Sequence, residues 1–269
     1  MTSSPYFKKL QEQNIRPVAQ VVDTSSQSSA TIFVQEQYVV NEANDHDTAK
    51  VIVACRGSAN WKNFQTNLQL QLVPTSDELL VGDEYDEETD EKLVHEGFQK
   101  AAIGLWKLLQ PELDRVLLEQ NESVLTFTGH SLGGAMAVLC AVQYSLLDRR
   151  LFRDSFPLPD VITFGGPRLC HANMAEYWMI YCFSPNSIVR NLVHAKDPIL
   201  QQNQALWKAL GFSICGEEVL CESDVPVVYD WGPNENILIG EGKLSNTKMS
   251  FNFWDHCMYL GVFVGPRMV

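Results

Sequence analysis

Val124-Leu125-Thr126-Phe127-Thr128-Gly129-His130-Ser131-Leu132-Gly133-Gly134-Ala135 decides the fold. An apolar run rich in β-formers leads into Gly-His-Ser-Leu-Gly, and a helical pattern follows over residues 134–148. A serine on a sharp turn between a strand and a helix is the arrangement of a nucleophile elbow. The glycines two before and two after Ser131 let strand and helix approach closely. Such a turn lifts Ser131 above a sheet and aims the backbone N–H of Leu132 at charge developing on a reacting oxygen. The helix behind it adds its positive N-terminal end. Taken alone, Gly-x-Ser-x-Gly is only a glycine-rich turn with an idle serine. The strand before it and the helix after it make Ser131 a candidate nucleophile.

The chain has 269 residues, 45% of them hydrophobic, which suits one α/β domain with a full core. Net charge is −13 and the pI is near 4.8, against nucleic-acid binding and against attraction to anionic bilayers. No apolar run approaches the ~18 residues of a membrane span. The start, Met1-Thr2-Ser3-Ser4-Pro5-Tyr6-Phe7-Lys8-Lys9, has no apolar signal core, so a cytoplasmic location is expected, with a secreted and processed form as the alternative. Seven cysteines cannot all pair. Cys55, Cys140, Cys182 and Cys257 lie in apolar surroundings and read as buried thiols, whereas Cys215 and Cys221 are near enough on a loop to make a disulfide the alternative there. No Cys/His cluster has metal-ligand spacing, and no cofactor is expected.

Strands alternate with helices across the centre, which predicts a mostly parallel sheet flanked by helices on both faces. Neither a repeat nor a linker divides residues 1–269, which read as a single domain. Residues 6–13 read as a helix, and 18–22, 30–35 and 50–55 as strands. The last of these ends in Arg56-Gly57-Ser58, a plain turn or a donor facing an active site. Trp61 and Phe64 share one face of a helical turn, either packed inward or forming a movable cover over the serine. Residues 69–74 look like a strand. Residues 77–91 hold nine carboxylates and read as a solvated or disordered loop; paired acid/base carboxylates or a calcium site are weaker readings, since the alternation of an EF-hand loop is missing. A helix is expected over 94–121, kinked or split at Pro111. Further expectations are a strand leading into Phe164-Gly165-Gly166-Pro167, a helix over 172–181, a strand over 187–193, then a helix near 205–210 and hairpins.

A serine nucleophile needs a base, and the base needs an orienting carboxylate. On this class of sheet the order is Ser, acid, His. Of the histidines after Ser131 — His171, His194 and His256 — only His256 follows every candidate acid. Asp197 leaves the C-terminal end of a strand, where active-site loops of α/β sheets lie; Asp224, Asp230 and Asp255 are weaker candidates.

Gly129-His130-Ser131-Leu132-Gly133-Gly134-Ala135, Arg56-Gly57-Ser58, Val94-His95-Glu96-Gly97-Phe98, Thr163-Phe164-Gly165-Gly166-Pro167-Arg168, Asp197-Pro198 and His256-Cys257-Met258-Tyr259 stand in the order of the class 3 (fungal-type) lipases, which the chain resembles over about residues 30–265. The resemblance implies an α/β-hydrolase-like fold that cleaves acyl esters without metal or cofactor. It carries the nucleophile to Ser131, the acid to Asp197 and the base to His256. It makes Ser58 an oxyanion donor beside Leu132, and places a lid over residues 60–68, with Trp61 and Phe64 on its apolar face. The implied partners are an acyl-ester substrate, foremost neutral glycerides, and a lipid–water interface. A non-catalytic lipase-like interaction module and an enzyme acting on phospholipid or aryl esters are the rivals. The chain departs from the family where Asn63-Phe64 and Asn67-Leu68 stand for the common Asn-Trp and Asp-Leu, and where Gly166 replaces a polar residue.

Overall fold

A computed structural model describes residues 10–38, 48–56, 71–80, 92–120, 123–151, 157–194, 207, 209–221, 258–259 and 262–263. In chain order the strands are β1 (Ile15–Asp23), β2 (Ser28–Tyr38), β3 (Thr48–Arg56), β4 (Leu72–Pro74) and β5 (Leu93–His95). Helix α1 (Glu96–Glu119), β6 (Ser123–His130), helix α2 (Leu132–Leu151), β7 (Pro159–Phe164), β8 (Cys170–His171), helix α3 (Ala172–Tyr181) and β9 (Val189–His194) follow. β10 (Phe212–Ser213), β11 (Glu217–Cys221), β12 (Met258–Tyr259) and β13 (Val262–Phe263) complete the described elements.

Among the described residues the main sheet runs β1-β2-β3-β6-β7-β9-β11. β1, β2 and β3 pair antiparallel, and every pairing from β3 to β11 is parallel. The apolar runs seen in the sequence explain the parallel part: Val51, Val53, Leu125, Phe127 and Val161 are all buried. Helix α2 covers this region, touching β3, β6 and β7, and every residue from Gly133 to Leu146 is buried. Its alanines at 135, 137 and 141 leave room for that close packing. Phe127 is fully buried, so Phe127→Ala would cost about 3–5 kcal/mol.

Helix α1 differs from the sequence expectation. It passes through Pro111 as one helix instead of kinking or splitting there. Phe98, Ala102, Leu105, Leu109, Leu113, Val116 and Leu117 form one buried stripe at helical spacing, while Pro111 and Lys107 stand on the exposed face. The Lys107 carbonyl, which proline leaves without its helical donor, therefore faces water, and the buried stripe holds the helix through the defect.

A second, four-stranded sheet, β10-β8-β5-β4, was not visible in the sequence. Its strands are two or three residues long and arise from tertiary pairing, as where the His95 N–H donates to the Leu169 carbonyl at 2.9 Å. Residues 93–95 are thus a strand, and the helix begins only at Glu96. The start of the acidic stretch is also anchored, against expectation. Asp77–Leu79 is a 3-10 turn with Asp77 and Glu78 outward, while Leu79 and Leu80 are buried and the Leu79 carbonyl accepts from Trp178 Nε1 at 3.0 Å. Residues 81–91, with the remaining carboxylates, lie outside the described residues.

The disulfide alternative fails. Cys55, Cys140, Cys170, Cys182 and Cys215 are buried thiols, none of them in a disulfide. Cys215 precedes the turn into β11 and Cys221 ends that strand. At ~3.3 Å per residue the strand separates the two well beyond the ~7 Å Cα limit of a bridge. Burial pushes the Cys215 thiol up, as it does Cys170, and a hydrogen bond with Cys55 raises Cys140.

His95 caps α1. Its Nδ1 accepts from the Phe98 N–H at 3.3 Å, and its ring stacks on Phe98 with centroids 3.9 Å apart. The ring is 1% exposed, and Nε2 has no hydrogen-bond partner among the described residues. Burial lowers its pKa to about 4, against raising contributions from its own backbone and from Glu96. The folded state therefore keeps His95 neutral where the unfolded chain, near 6.5, takes up a proton. Stability is intact above pH 6.5 and falls as pH drops from 6.5 towards 4, by up to about 3 kcal/mol. Urea unfolding between pH 7 and pH 4 should show this loss in the wild type and not in His95→Asn, which keeps a capping group without titrating. A gap between the two proteins that does not change with pH would refute it.

Candidate active site

The C-terminal ends of the parallel strands meet on one edge of the main sheet. In register, Cys55 of β3 lies beside Gly129 of β6, Gly129 beside Thr163 of β7, and Thr163 beside Asn191 of β9. The chain leaves this edge at Arg56, His130, Phe164 and His194. Ligands of open α/β sheets bind at this edge.

Ser131 is the single residue between β6 and α2, and its φ is +54°. Left-handed backbone is disfavoured for a residue with a side chain. It is held there by two hydrogen bonds: the Ser131 N–H donates to the Phe164 carbonyl at 2.9 Å, and the Ser131 carbonyl accepts from the Gly134 N–H at 2.8 Å. Ser131 and Leu132 are half-buried, whereas the residues after them are buried, so the serine stands at the mouth of the turn. The N–H groups of a first helical turn have no intrahelical acceptor. Leu132 supplies the first of them in α2.

Of the glycines read from the sequence, Gly129 is required by contact, and Gly134, next to Gly133, is closely packed. A Cβ on Gly129 would clash with the Gly133 carbonyl. A Cβ on Gly134 would stand 3.1 Å from Gly166 Cα and 3.2 Å from Thr163 Cβ. The strand–helix turn thus nests against the turn after β7, where Gly165 also has a positive φ, +58°.

One residue at this edge belongs to no sequence motif. Asn191 lies mid-strand in β9 and is 5% exposed. Its Oδ1 accepts from the Gly166 N–H and the Thr163 hydroxyl, both at 2.9 Å, and its Nδ2 donates to the Gly166 carbonyl at 2.9 Å. An asparagine inside the run Val189-Arg190-Asn191-Leu192-Val193 was the available signal, because a buried amide must find partners.

Among the expected site residues, Ser131 and Leu132 are brought together at the elbow. Ser58, Trp61, Phe64, Asp197 and His256 lie outside the described residues. The strand before Ser58 and the strand before Asp197 end on the same edge as Ser131, and β12 begins two residues after His256. The other histidines after Ser131 have local settings: His171 caps α3, accepting from the Asn173 N–H at 3.4 Å, and His194 is buried at the end of β9. No residue group able to hold a metal occurs among the described residues.

A serine strained on a strand-to-helix turn, at the C-terminal edge of a mostly parallel sheet, defines the α/β-hydrolase class. The profile of the family described as Lipase (class 3) matches residues 52–202, and the chain belongs to that family. It is 32% identical over 133 residues to the chloroplastic phospholipase A1 PLIP1 of Arabidopsis thaliana, covering 49% of this chain and 18% of the relative. It is 27% identical over 230 residues to Lipase A of Sodiomyces alcalophilus, covering 77% and 53%. The chain thus spans about half or less of the length of these curated relatives. The crystal structure of a lipase from Rhizopus microsporus var. chinensis superposes with a TM-score of 0.62 at 17% identity, over 94% of this chain and 77% of that one, which shows the shared fold.

The strain at Ser131 is directly measurable. Ser131→Gly should be more stable than Ser131→Ala by about 1 kcal/mol, because glycine adopts positive φ freely. Equal unfolding midpoints would mean that the serine is not held in the left-handed region. Gly129→Ala should be far more damaging than Gly134→Ala, whose nearest neighbour needs to give by only a few tenths of an ångström.

Proposed function

We propose that the chain is a serine carboxylester hydrolase, foremost a lipase on neutral glycerides, with Ser131 as nucleophile. The observation that carries the reading is the positive φ of Ser131 on its strand-to-helix turn. Strain of this kind persists where the surrounding structure is built to hold it, and it clusters at active sites. Membership of the class 3 lipase family supports the same chemistry.

In this mechanism Ser131 Oγ attacks the ester carbonyl while His256 takes its proton. Asp197 fixes the imidazole tautomer and stabilises the imidazolium. The N–H of Leu132 and the N–H and hydroxyl of Ser58 hold the tetrahedral oxyanion, each donor being worth ~3 kcal/mol of barrier. His256 returns the proton to the leaving alcohol, and water releases the acyl group by the same route. Trp61 and Phe64 form the apolar face of a lid that opens at an oil surface. A second reading keeps this chemistry and moves the substrate to phospholipid, favoured by the phospholipase A1 among the relatives.

A fluorophosphonate should add stoichiometrically to wild-type Ser131 and not to Ser131→Ala. The losses in Ser131→Ala, His256→Ala and Asp197→Ala should be far from additive, because a triad acts as a unit. A folded wild type that takes up no label would mark a non-catalytic interaction module instead. Glyceride and phospholipid esters assayed side by side separate the two substrate readings. Trp61→Ser with Phe64→Ser should reduce turnover of emulsified long-chain glycerides much more than that of a short monomeric ester; equal losses would make the two rings structural.

A further inference from the structure

We propose that Asn191 is a positioning residue for the nucleophile: it clamps the turn after β7 and so holds the backbone of Ser131 in its left-handed conformation. The inference rests on the serine-hydrolase reading and assigns to β9 a part in it. Asn191 uses both ends of its amide, accepting from the Gly166 N–H and the Thr163 hydroxyl and donating to the Gly166 carbonyl. These bonds fix both flanks of Phe164-Gly165. Between the flanks, the Gly165 N–H donates to the Leu192 carbonyl at 2.7 Å, and the Phe164 carbonyl takes the Ser131 N–H. The clamped turn also forms the shelf on which Gly134, in the first turn of α2, rests. Asn191 therefore acts on the elbow through an acceptor and a packing surface, without touching substrate.

The direction of Gly166 fits the same account. A Cβ there would stand 3.1 Å from Asn191 Oδ1 and 3.3 Å from Thr163 Oγ1, so a side chain at 166 points into the space that the Asn191 amide fills. Asn191 supplies from the neighbouring strand the polar group that the turn does not carry itself. Without it, the buried N–H and carbonyl of Gly166 and the hydroxyl of Thr163 lose their common partner.

The test combines phosphonate titration of active serines, steady-state kinetics and hydrogen exchange at the Ser131 amide. In Asn191→Ala, kcat per titrated serine should fall by about 10- to 100-fold with KM little changed, since a slight misplacement of the nucleophile acts on the chemical step. Exchange at the Ser131 amide should accelerate at least about tenfold as its bond to Phe164 loosens. Asn191→Ala combined with Gly166→Ser should regain part of kcat, because the new hydroxyl enters the vacated space. Asn191→Asp keeps the shape if the alanine variant does not fold. Its protonated carboxyl donates to the Gly166 carbonyl as the amide does, and its ionised form repels that oxygen. Its kcat relative to wild type should therefore fall as pH rises, together with Ser131 amide protection. A wild type labelled on Ser131, with kcat and amide exchange unaltered in the folded Asn191 variants, overturns the role of Asn191 alone. Absence of label on wild-type Ser131 overturns the hydrolase reading and the positioning role with it.

Discussion

Holding a side-chain-bearing residue at a φ of +54° between a parallel strand and a helix costs ~1–2 kcal/mol, and the local structure is arranged around that cost. Gly129 has no Cβ because the Gly133 carbonyl occupies its place, and Gly134 has little room for one because the turn after β7 lies there. The Phe164 carbonyl takes the amide of Ser131, and Asn191 pins the turn that presents this carbonyl. The Phe164 and Asn191 contacts come from neighbouring parallel strands. The elbow therefore needs β6, β7 and β9 in register, and cannot form from the pentapeptide alone.

The same arrangement gives the site its electrostatics. Helix α2 is buried from Gly133 to Leu146, so its first turn is fixed, with the Gly134 N–H taken by the Ser131 carbonyl and the Leu132 N–H beside Ser131 at the helix start. Donors held rigidly by a packed helix need no reorganisation when an oxyanion forms, which is where such sites obtain much of their effect. On the proposed lipase reading, a net charge of −13 leaves attraction to a neutral lipid surface to apolar groups.

Much of this was legible in the sequence because it rests on local signals. Continuous apolar runs marked β3, β6 and β7, and glycines at fixed offsets from Ser131 marked the elbow. The less legible features depend on partners distant in sequence. β5, β8 and β10 are too short to show a period and exist through pairing with one another. Pro111 reads locally as a break, yet the buried stripe of α1 overrides it. Leu79-Leu80 inside a charged run was a sign of anchoring outweighed by the carboxylates around it. Asn191 has no motif, and its part is set by strand register. Asp197 and His256 are proposed from chain order and family motifs, and Ser58 from the family motifs, because a triad and its oxyanion donors have no local pattern of their own.

In the proposed mechanism Ser131 and the Leu132 N–H face one reacting centre. A crystal structure of the phosphonate-treated protein measures this directly. Phosphorus should be bonded to Ser131 Oγ, with its phosphoryl oxygen within ~3.1 Å of the Leu132 nitrogen and His256 within hydrogen-bond reach of the serine oxygen. Phosphorus bonded to another residue, or a phosphoryl oxygen turned away from the start of α2, would contradict it.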